Sequence, residues 1–332
     1  MKVGYLGAGA WGTALASLLA KNGHDVIVWD RNHNNVKKIK ETRLHPNLGS
    51  FAIPDKIFYT EDIEDAVNNV DMIVESVTSL GFRSVFTKII NLKKIDCPIV
   101  ITSKGLEQNT EKLLPEVLKE LLPFESYEYI GCLSGPSLAE DVIKNLPTSI
   151  VCSSYSEQTM QVIAQAFNSP FFRVYPNPDI SGISFGGAMK NVIAIACAIS
   201  DGLGYGDNTK AALMTRGLHE MKKLCHLKGG SPETLNGLSG MGDLCVTCLS
   251  DSSRNYRFGR LIAEGYSMKE AKSKIGMIVE GAYSCVSIYE LAKKHNIPVP
   301  ITQAVHAVLY ENLSPINVVK LLMQRKIKNE LE

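Results

Sequence analysis

Six residues near the start of the chain, Gly7-Ala8-Gly9-Ala10-Trp11-Gly12, constrain the fold more than any other feature. They follow an apolar run at residues 2–6 that reads as a strand, and they lead into a helical pattern at 11–21. Each glycine has its own task in such a turn: Gly7 permits the tight bend, Gly9 lets a ligand approach the backbone, and Gly12 lets the helix pack against the sheet. The helix N-terminus then offers N–H groups and the positive end of its dipole to an anion. A dinucleotide pyrophosphate is the ligand that this arrangement suits. Asp30, at the end of the second strand candidate (26–29), is placed to accept hydrogen bonds from the adenosine ribose hydroxyls. Arg31 beside it could hold a 2′-phosphate, so NAD and NADP both stay open. The Asp30 carboxylate would repel that phosphate and tilts the reading toward NAD.

The first half of the chain continues to alternate strand and helix signals. Further strand candidates lie at 72–77, 98–102, 129–133, 149–152 and 171–174, with helical patterns such as 83–91 and 112–121 between them. This alternation predicts a Rossmann-like α/β domain with a mostly parallel sheet covered on both faces. From residue 181 onward the pattern becomes helical, at 181–199, 210–227, 254–264, 268–274, 283–295 and 300–310, which predicts an all-α C-terminal domain. Asn177-Pro178 marks the junction, because proline disfavours helix in the residue before it. The domains expected are therefore 1–178, binding the dinucleotide, and 179–332, carrying substrate and catalytic groups.

Bulk properties exclude several other classes. A net charge of +1 with no long run of one sign argues against a nucleic-acid binder. The basic and apolar residues of 320–328 read as an amphipathic terminal helix. Eight cysteines in 332 residues are too sparse for a disulfide scaffold. Cys245 and Cys248 form a CxxC without a second ligand pair, so no metal site is expected and the thiols suit a reducing, cytoplasmic setting. The chain starts directly on a strand, leaving no room for a signal peptide. The apolar segment 183–199 is short for a bilayer and carries Lys190 and Asn191 in its middle, which reads as a buried helix with a polar spot rather than a membrane insertion.

Four segments carry residues suited to reduction of a ketone, which needs a proton donor, a positioned carbonyl and an anchor for the rest of the substrate. Ser103-Lys104-Gly105 follows a strand, at the sheet end where ligands bind in open α/β folds. Lys190 has small residues, Gly186 and Gly187, on one side and apolar ones, Ile193 and Ala194, on the other. That setting leaves space for a ligand and strips water from an ammonium, which favours acid–base work. Asp243, within Gly240-Met241-Gly242-Asp243-Leu244, offers a carboxylate to a lysine or a substrate hydroxyl. Ser252 and Ser253 read as an N-cap. Arg254 behind them is a cation poorly placed against the helix dipole unless an anion such as phosphate binds there.

Taken in order, these segments resemble the NAD(P)-dependent glycerol-3-phosphate dehydrogenase family, and its bacterial form most of all. The likeness adds Leu133-Ser134-Gly135-Pro136-Ser137 and Val279-Glu280-Gly281 and spans nearly the whole chain. The resemblance implies that Lys190 is the general acid/base toward dihydroxyacetone phosphate, with Asp243 orienting it and Lys104 touching both substrate and cofactor. It implies that Gly135, Ser137, Ser253, Arg254 and Asn255 line the substrate site. It further implies that Gly7, Gly9, Ala10, Trp11, Gly12, Asp30, Arg31, Ala139, Arg254, Ile278 and Glu280 line the cofactor site. No metal is implied, and a cytoplasmic homodimer supplying glycerol 3-phosphate for phospholipid synthesis is. Ala10 and Met189 stand where the family commonly has Ser and Leu, and 48–53 departs from the family's loop and is assigned no role. Two other functions fit the bare residues: a related Rossmann dehydrogenase of a β-hydroxyacid or a sugar phosphate, and a redox-sensing protein that binds the nucleotide without turnover.

Overall fold

The structure, a computed structural model, describes residues 1–327, 329 and 330. It divides into two compact units, Met1–Lys104 with Leu114–Ile180, and Gly105–Leu113 with Ser181–Glu332. A single boundary near 178 does not provide for residues 105–113. They join the second unit because Leu106 and Leu113, paired across a short antiparallel bridge, are buried in its helical core.

The first unit is built on an eight-stranded sheet. Its strands are β1 (Lys2–Leu6), β2 (Asp25–Trp29), β3 (Ile57–Thr60), β4 (Met72–Glu75), β5 (Ile99–Ile101), β6 (Ile130–Ser134), β7 (Thr148–Ser154) and β8 (Phe172–Pro176). They lie in the order β3-β2-β1-β4-β5-β6-β7-β8, every pair parallel except β6 and β7. The predicted mostly parallel sheet is thus present, with one strand more than expected. β3 was not anticipated because it is four residues long, sits at the edge and leaves Phe58 exposed, so its apolar signal is weak. The helices that accompany the strands are α1 (Ala10–Lys21), α2 (His33–Thr42), α3 (Ile63–Val67), α4 (Ser79–Leu92), α5 (Leu114–Leu121), α6 (Ala139–Ile143) and α7 (Glu157–Phe167). The strand order runs outward from β1 in both directions. The reversal between β1 and β4 creates a crevice at their carboxyl ends, where open α/β sheets take ligands. The glycine loop lies at that end of β1.

The second unit is helical: α8 (Ile180–Gly202), α9 (Gly206–Leu227), α10 (Asp243–Leu249), α11 (Arg254–Ala263), α12 (Met268–Ile275), α13 (Glu280–Lys294), α14 (Pro300–Tyr310) and α15 (Pro315–Met323). The terminal helix expected at 320–328 ends earlier, at Met323, and Lys328 lies outside the described residues. α8 is the spine. Its 23 residues are long and apolar enough to cross a membrane, against the expectation that this segment is too short, yet 89% of its most apolar window is buried inside the protein. Gly186 in this helix costs helix propensity but permits a close crossing: a Cβ there would stand 2.5 Å from the Ser239 carbonyl oxygen.

Candidate active site

In the first unit, Gly7 and Gly12 stand where a side chain is excluded, and neighbouring side chains complete the loop. Gly7 has φ +105°, in the region that favours glycine, and a Cβ there would meet the Ser76 carbonyl at 2.9 Å. At Gly12 a Cβ would stand 2.1 Å from the Gly7 carbonyl oxygen. Around Gly9, the exposed N-cap of α1, an added Cβ meets nothing within 4 Å, which is the open approach a pyrophosphate needs. Trp11 and Ala10 are half-buried against the core below. Asp30 is not idle: its carboxylate accepts the Ala8 N–H at 2.7 Å and the Asn32 N–H at 2.8 Å, so it braces the loop from below. Its remaining lone pairs are available to a ribose. Arg31 is exposed beside it.

Under the crevice runs a hydrogen-bond chain that the sequence reading did not find. The buried Tyr5 hydroxyl bonds Ser76 Oγ at 2.7 Å, Ser76 Oγ bonds Thr102 Oγ1 at 2.6 Å, and Thr102 donates to the Glu75 carbonyl at 2.8 Å. Burial pushes the Tyr5 phenol well above its ordinary range. The fully buried Glu75 carboxylate accepts from the Val77 N–H at 2.6 Å and from Ser103 Oγ at 2.7 Å, tying the ends of β4 and β5 together just before Lys104. Lys104 Nζ then reaches the Gly135 carbonyl at 3.1 Å, and Ser137 Oγ donates to the same oxygen at 2.9 Å. Three predicted substrate residues from two different loops therefore share one atom. Ala139 opens α6 and is half-buried close by in the chain.

In the second unit, Lys190 is buried with only 6% exposed, among Met189, Ile193 and Ala194, which are wholly buried. Nζ lies 2.5 Å from Asp243 Oδ1 and donates to Thr247 Oγ1 at 2.7 Å. Asp243 is 1% exposed and lies where the π-helical turn Leu238–Gly242 runs straight into α10, rather than in an open loop. The apolar surroundings foreseen for Lys190 are real, but a carboxylate at this distance compensates the ammonium charge. The glycine foreseen as leaving room for a ligand, Gly186, instead admits the 238–242 turn. Thr247, absent from the sequence reading, is one helical turn beyond Asp243 and donates to its carbonyl at 2.6 Å. The i, i+4 spacing from Asp243 was the signal, legible only once α10 is known to be a helix.

Ser253 caps α11 as expected, its hydroxyl accepting the Tyr256 N–H at 3.2 Å. Asn255 is buried, donating to Asn191 Oδ1 at 3.0 Å and accepting the Gly281 N–H at 2.9 Å. These two side chains are thus engaged inside the fold, and what the segment presents to an anion is the Arg254 guanidinium and the first N–H groups of α11. Arg254 is accessible at the surface, and Nη1 donates to the Ile278 carbonyl at 3.2 Å. Desolvation lowers its pKa from the ordinary value, the Glu280 carboxylate opposes this, and Arg257 adds to it. Arg254, Ile278 and Glu280, all predicted around the cofactor, are therefore together. Cys245 packs on Met241 Sδ at 3.6 Å, while Cys248 is hydrogen-bonded to the buried Cys197, a contact that with burial raises its pKa well above the thiol range. Among the described residues no three His, Cys, Asp or Glu gather as a metal site would require. A separate cavity of about 570 Å³ opens in this unit against α9, α14 and α15, and none of the predicted site residues lines it.

Family comparisons decide among the sequence alternatives. The model for the N-terminus of NAD-dependent glycerol-3-phosphate dehydrogenase matches residues 2–160, and the model for its C-terminus matches residues 179–320. The chain belongs to this family. A protein from Protochlamydia amoebophila named glycerol-3-phosphate dehydrogenase [NAD(P)+] is 54% identical over 99% of both chains. One of the same name from Chlamydia pneumoniae is 52% identical over 99% of this chain and 98% of its own. Among solved structures, the glycerol-3-phosphate dehydrogenase of Coxiella burnetii superposes with a TM-score of 0.92 at 38% identity, over 98% of this chain and 99% of that one. Membership in the family makes the chain an oxidoreductase with a nicotinamide dinucleotide as cofactor, and the open cradle at Gly9 fits that group.

Proposed function

We propose that the protein interconverts dihydroxyacetone phosphate and sn-glycerol 3-phosphate with NAD(P)H or NAD(P)+. The observation that carries this reading is the buried Lys190 held between Asp243 and Thr247, in a unit that also offers the accessible Arg254 at the N-terminus of α11. A nicotinamide dinucleotide held at the Gly7–Gly12 loop would supply or accept the hydride. Lys190 donates its Nζ proton to the carbonyl oxygen as charge develops there, and takes it back in the reverse direction. Asp243 and Thr247 hold the ammonium in place and keep its charge compensated. Arg254, with the α11 N–H groups, anchors the phosphate. In the first unit, Lys104 and Ser137 share the Gly135 carbonyl as a polar cluster suited to a substrate, and Asp30 with Arg31 meets the adenosine ribose, with NAD favoured by the Asp30 charge.

The enzyme acts in the cytoplasm as a homodimer, and its product feeds phospholipid synthesis. Eight cysteines, all free thiols, support a reducing compartment. Sedimentation of the purified protein tests the dimer. The decisive experiment follows NADH absorbance with dihydroxyacetone phosphate, unphosphorylated dihydroxyacetone and a β-keto acid in parallel. Turnover with the phosphorylated ketone alone is expected. Preference for the carboxylate substrate would transfer the assignment to a β-hydroxyacid dehydrogenase.

A further inference from the structure

The segment between α2 and β3, which carries none of the site residues named above, contains a histidine with an unusually determined environment. His45 is 3% exposed. The Asn47 backbone N–H donates to its Nδ1 at 3.1 Å, and since a backbone N–H can only donate, Nδ1 must be the unprotonated nitrogen. The proton therefore resides on Nε2, which lies 3.1 Å from the Ala8 carbonyl oxygen and donates to it. Asn35 Nδ2, from α2, donates to the same oxygen at 3.1 Å. On the other side of Ala8, its N–H is held by Asp30.

Ala8 is thus fixed at both its amide and its carbonyl by three side chains from three places in the chain. The consequence falls on the next residue. The Ala8–Gly9 peptide is trans, as are all peptides among the described residues, so the Gly9 N–H points opposite to the Ala8 carbonyl. With the carbonyl drawn toward His45 and Asn35, the Gly9 N–H is turned away from them, at the residue whose surroundings are open. In a glycine-rich loop this peptide is the one with fewest steric reasons to keep its orientation. A donor that is aimed before the ligand arrives spares the ordering cost on binding.

We propose that His45 is a positioning residue for dinucleotide binding: together with Asn35 it locks the Ala8–Gly9 peptide so that the Gly9 N–H faces the cofactor pyrophosphate. This rests on the reading of the Gly7–Gly12 loop as the dinucleotide site, and not on the identity of the substrate.

The test is NADH affinity, by fluorescence titration of the full-length purified protein, with His45→Leu, His45→Gln and Asn35→Ala. Leucine removes the donor to Ala8. Glutamine restores an N–H at about the reach of Nε2, while both substitutions lose the bond to Asn47. His45→Leu is expected to raise the NADH Kd about tenfold and the KM for NADH with it. At saturating NADH, kcat and the KM for dihydroxyacetone phosphate should stay within about twofold of wild type. His45→Gln should recover most of the affinity. Asn35→Ala should weaken NADH binding in the same direction, and it provides the readout should His45→Leu not fold. Equal NADH affinity in wild type, His45→Leu and Asn35→Ala would overturn the proposal, as would equal losses in the Leu and Gln variants. Wild type that binds NADH but does not turn over dihydroxyacetone phosphate sinks the reaction assigned above and leaves this titration fully readable. Wild type that fails to bind NADH overturns both.

Discussion

An ammonium as buried as that of Lys190 is costly unless its charge and its protons are met, and a buried carboxylate such as Asp243 carries the same cost in reverse. Each therefore depends on the other for stability as well as for chemistry. Asp243→Ala should destabilise the protein by about 3–5 kcal/mol in chemical denaturation, because it strands the ammonium. The double variant Lys190→Met with Asp243→Leu should regain much of that stability while remaining inactive; a double variant no more stable than the single one would contradict the pairing argument. Lys190→Met alone should lower kcat by about 10²- to 10⁴-fold, the span of general acid–base contributions, with the NADH Kd nearly unchanged. At Arg254 the expected signature differs. Arg254→Ala should raise the KM for dihydroxyacetone phosphate by at least about tenfold through loss of a charge-assisted contact, with a smaller change in kcat at saturating substrate.

At the scale of the element, the turn from β1 into α1 separates a folding requirement from a binding requirement. Gly12 is forbidden a side chain by the loop itself, since its Cβ would stand 2.1 Å from the Gly7 carbonyl, whereas Gly9 meets only open space and has φ −69°, which alanine adopts freely. Gly12→Ala should therefore lower Tm markedly. Gly9→Ala should leave Tm within a degree or two and weaken NADH binding, because the added methyl occupies the ligand's approach. Unchanged NADH affinity in Gly9→Ala would mean that the open face at Gly9 is no binding surface. α8 shows the complementary case: its glycine at 186 serves the crossing of a neighbouring turn and not the substrate.

For the whole molecule, Glu220 joins parts of the helical unit that are about 80 residues apart in the chain. On α9 and buried, it accepts the Ile301 N–H at 2.6 Å, the Thr302 N–H at 3.1 Å and the Thr302 hydroxyl at 3.0 Å, capping the start of α14. Burial pushes its carboxyl up to about 7 from 4.5, against the pull of these donors and of Arg325. Between those two values the folded state holds a proton that the unfolded chain has released. Its contribution to stability is accordingly full below about 4.5, declines as the pH rises and levels off above about 7. Denaturation of wild type and Glu220→Gln across that range should show the wild type losing ground to the variant by on the order of 1–3 kcal/mol as pH rises. A difference that stays flat with pH would mean that Glu220 titrates normally in the fold.

What the sequence determined by itself was whatever is written in local spacing. The period-2 and period-3.6 patterns marked seven of the eight strands and the helices of the second half apart from α10 and most of α15, and the glycine spacing marked the nucleotide loop, because these depend on backbone geometry within a few residues. From spacing alone the lysine, the aspartate and the arginine were legible as chemistry and not as partners; the pairing of Asp243 with Lys190 came from the family resemblance. Only the tertiary structure decided that Lys190 reaches Asp243 and Thr247 across 53 and 57 positions. It likewise showed that Asn255 and Ser253 spend their side chains inside the fold, and that Asp30, Asn35 and His45 converge on Ala8. It also assigned residues 105–113 to the helical unit. The physical reason is common to all of these. A hydrogen bond between distant residues requires donor and acceptor within about 3 Å and aligned, and that condition is met by the packing of whole elements, which leaves no period in the chain.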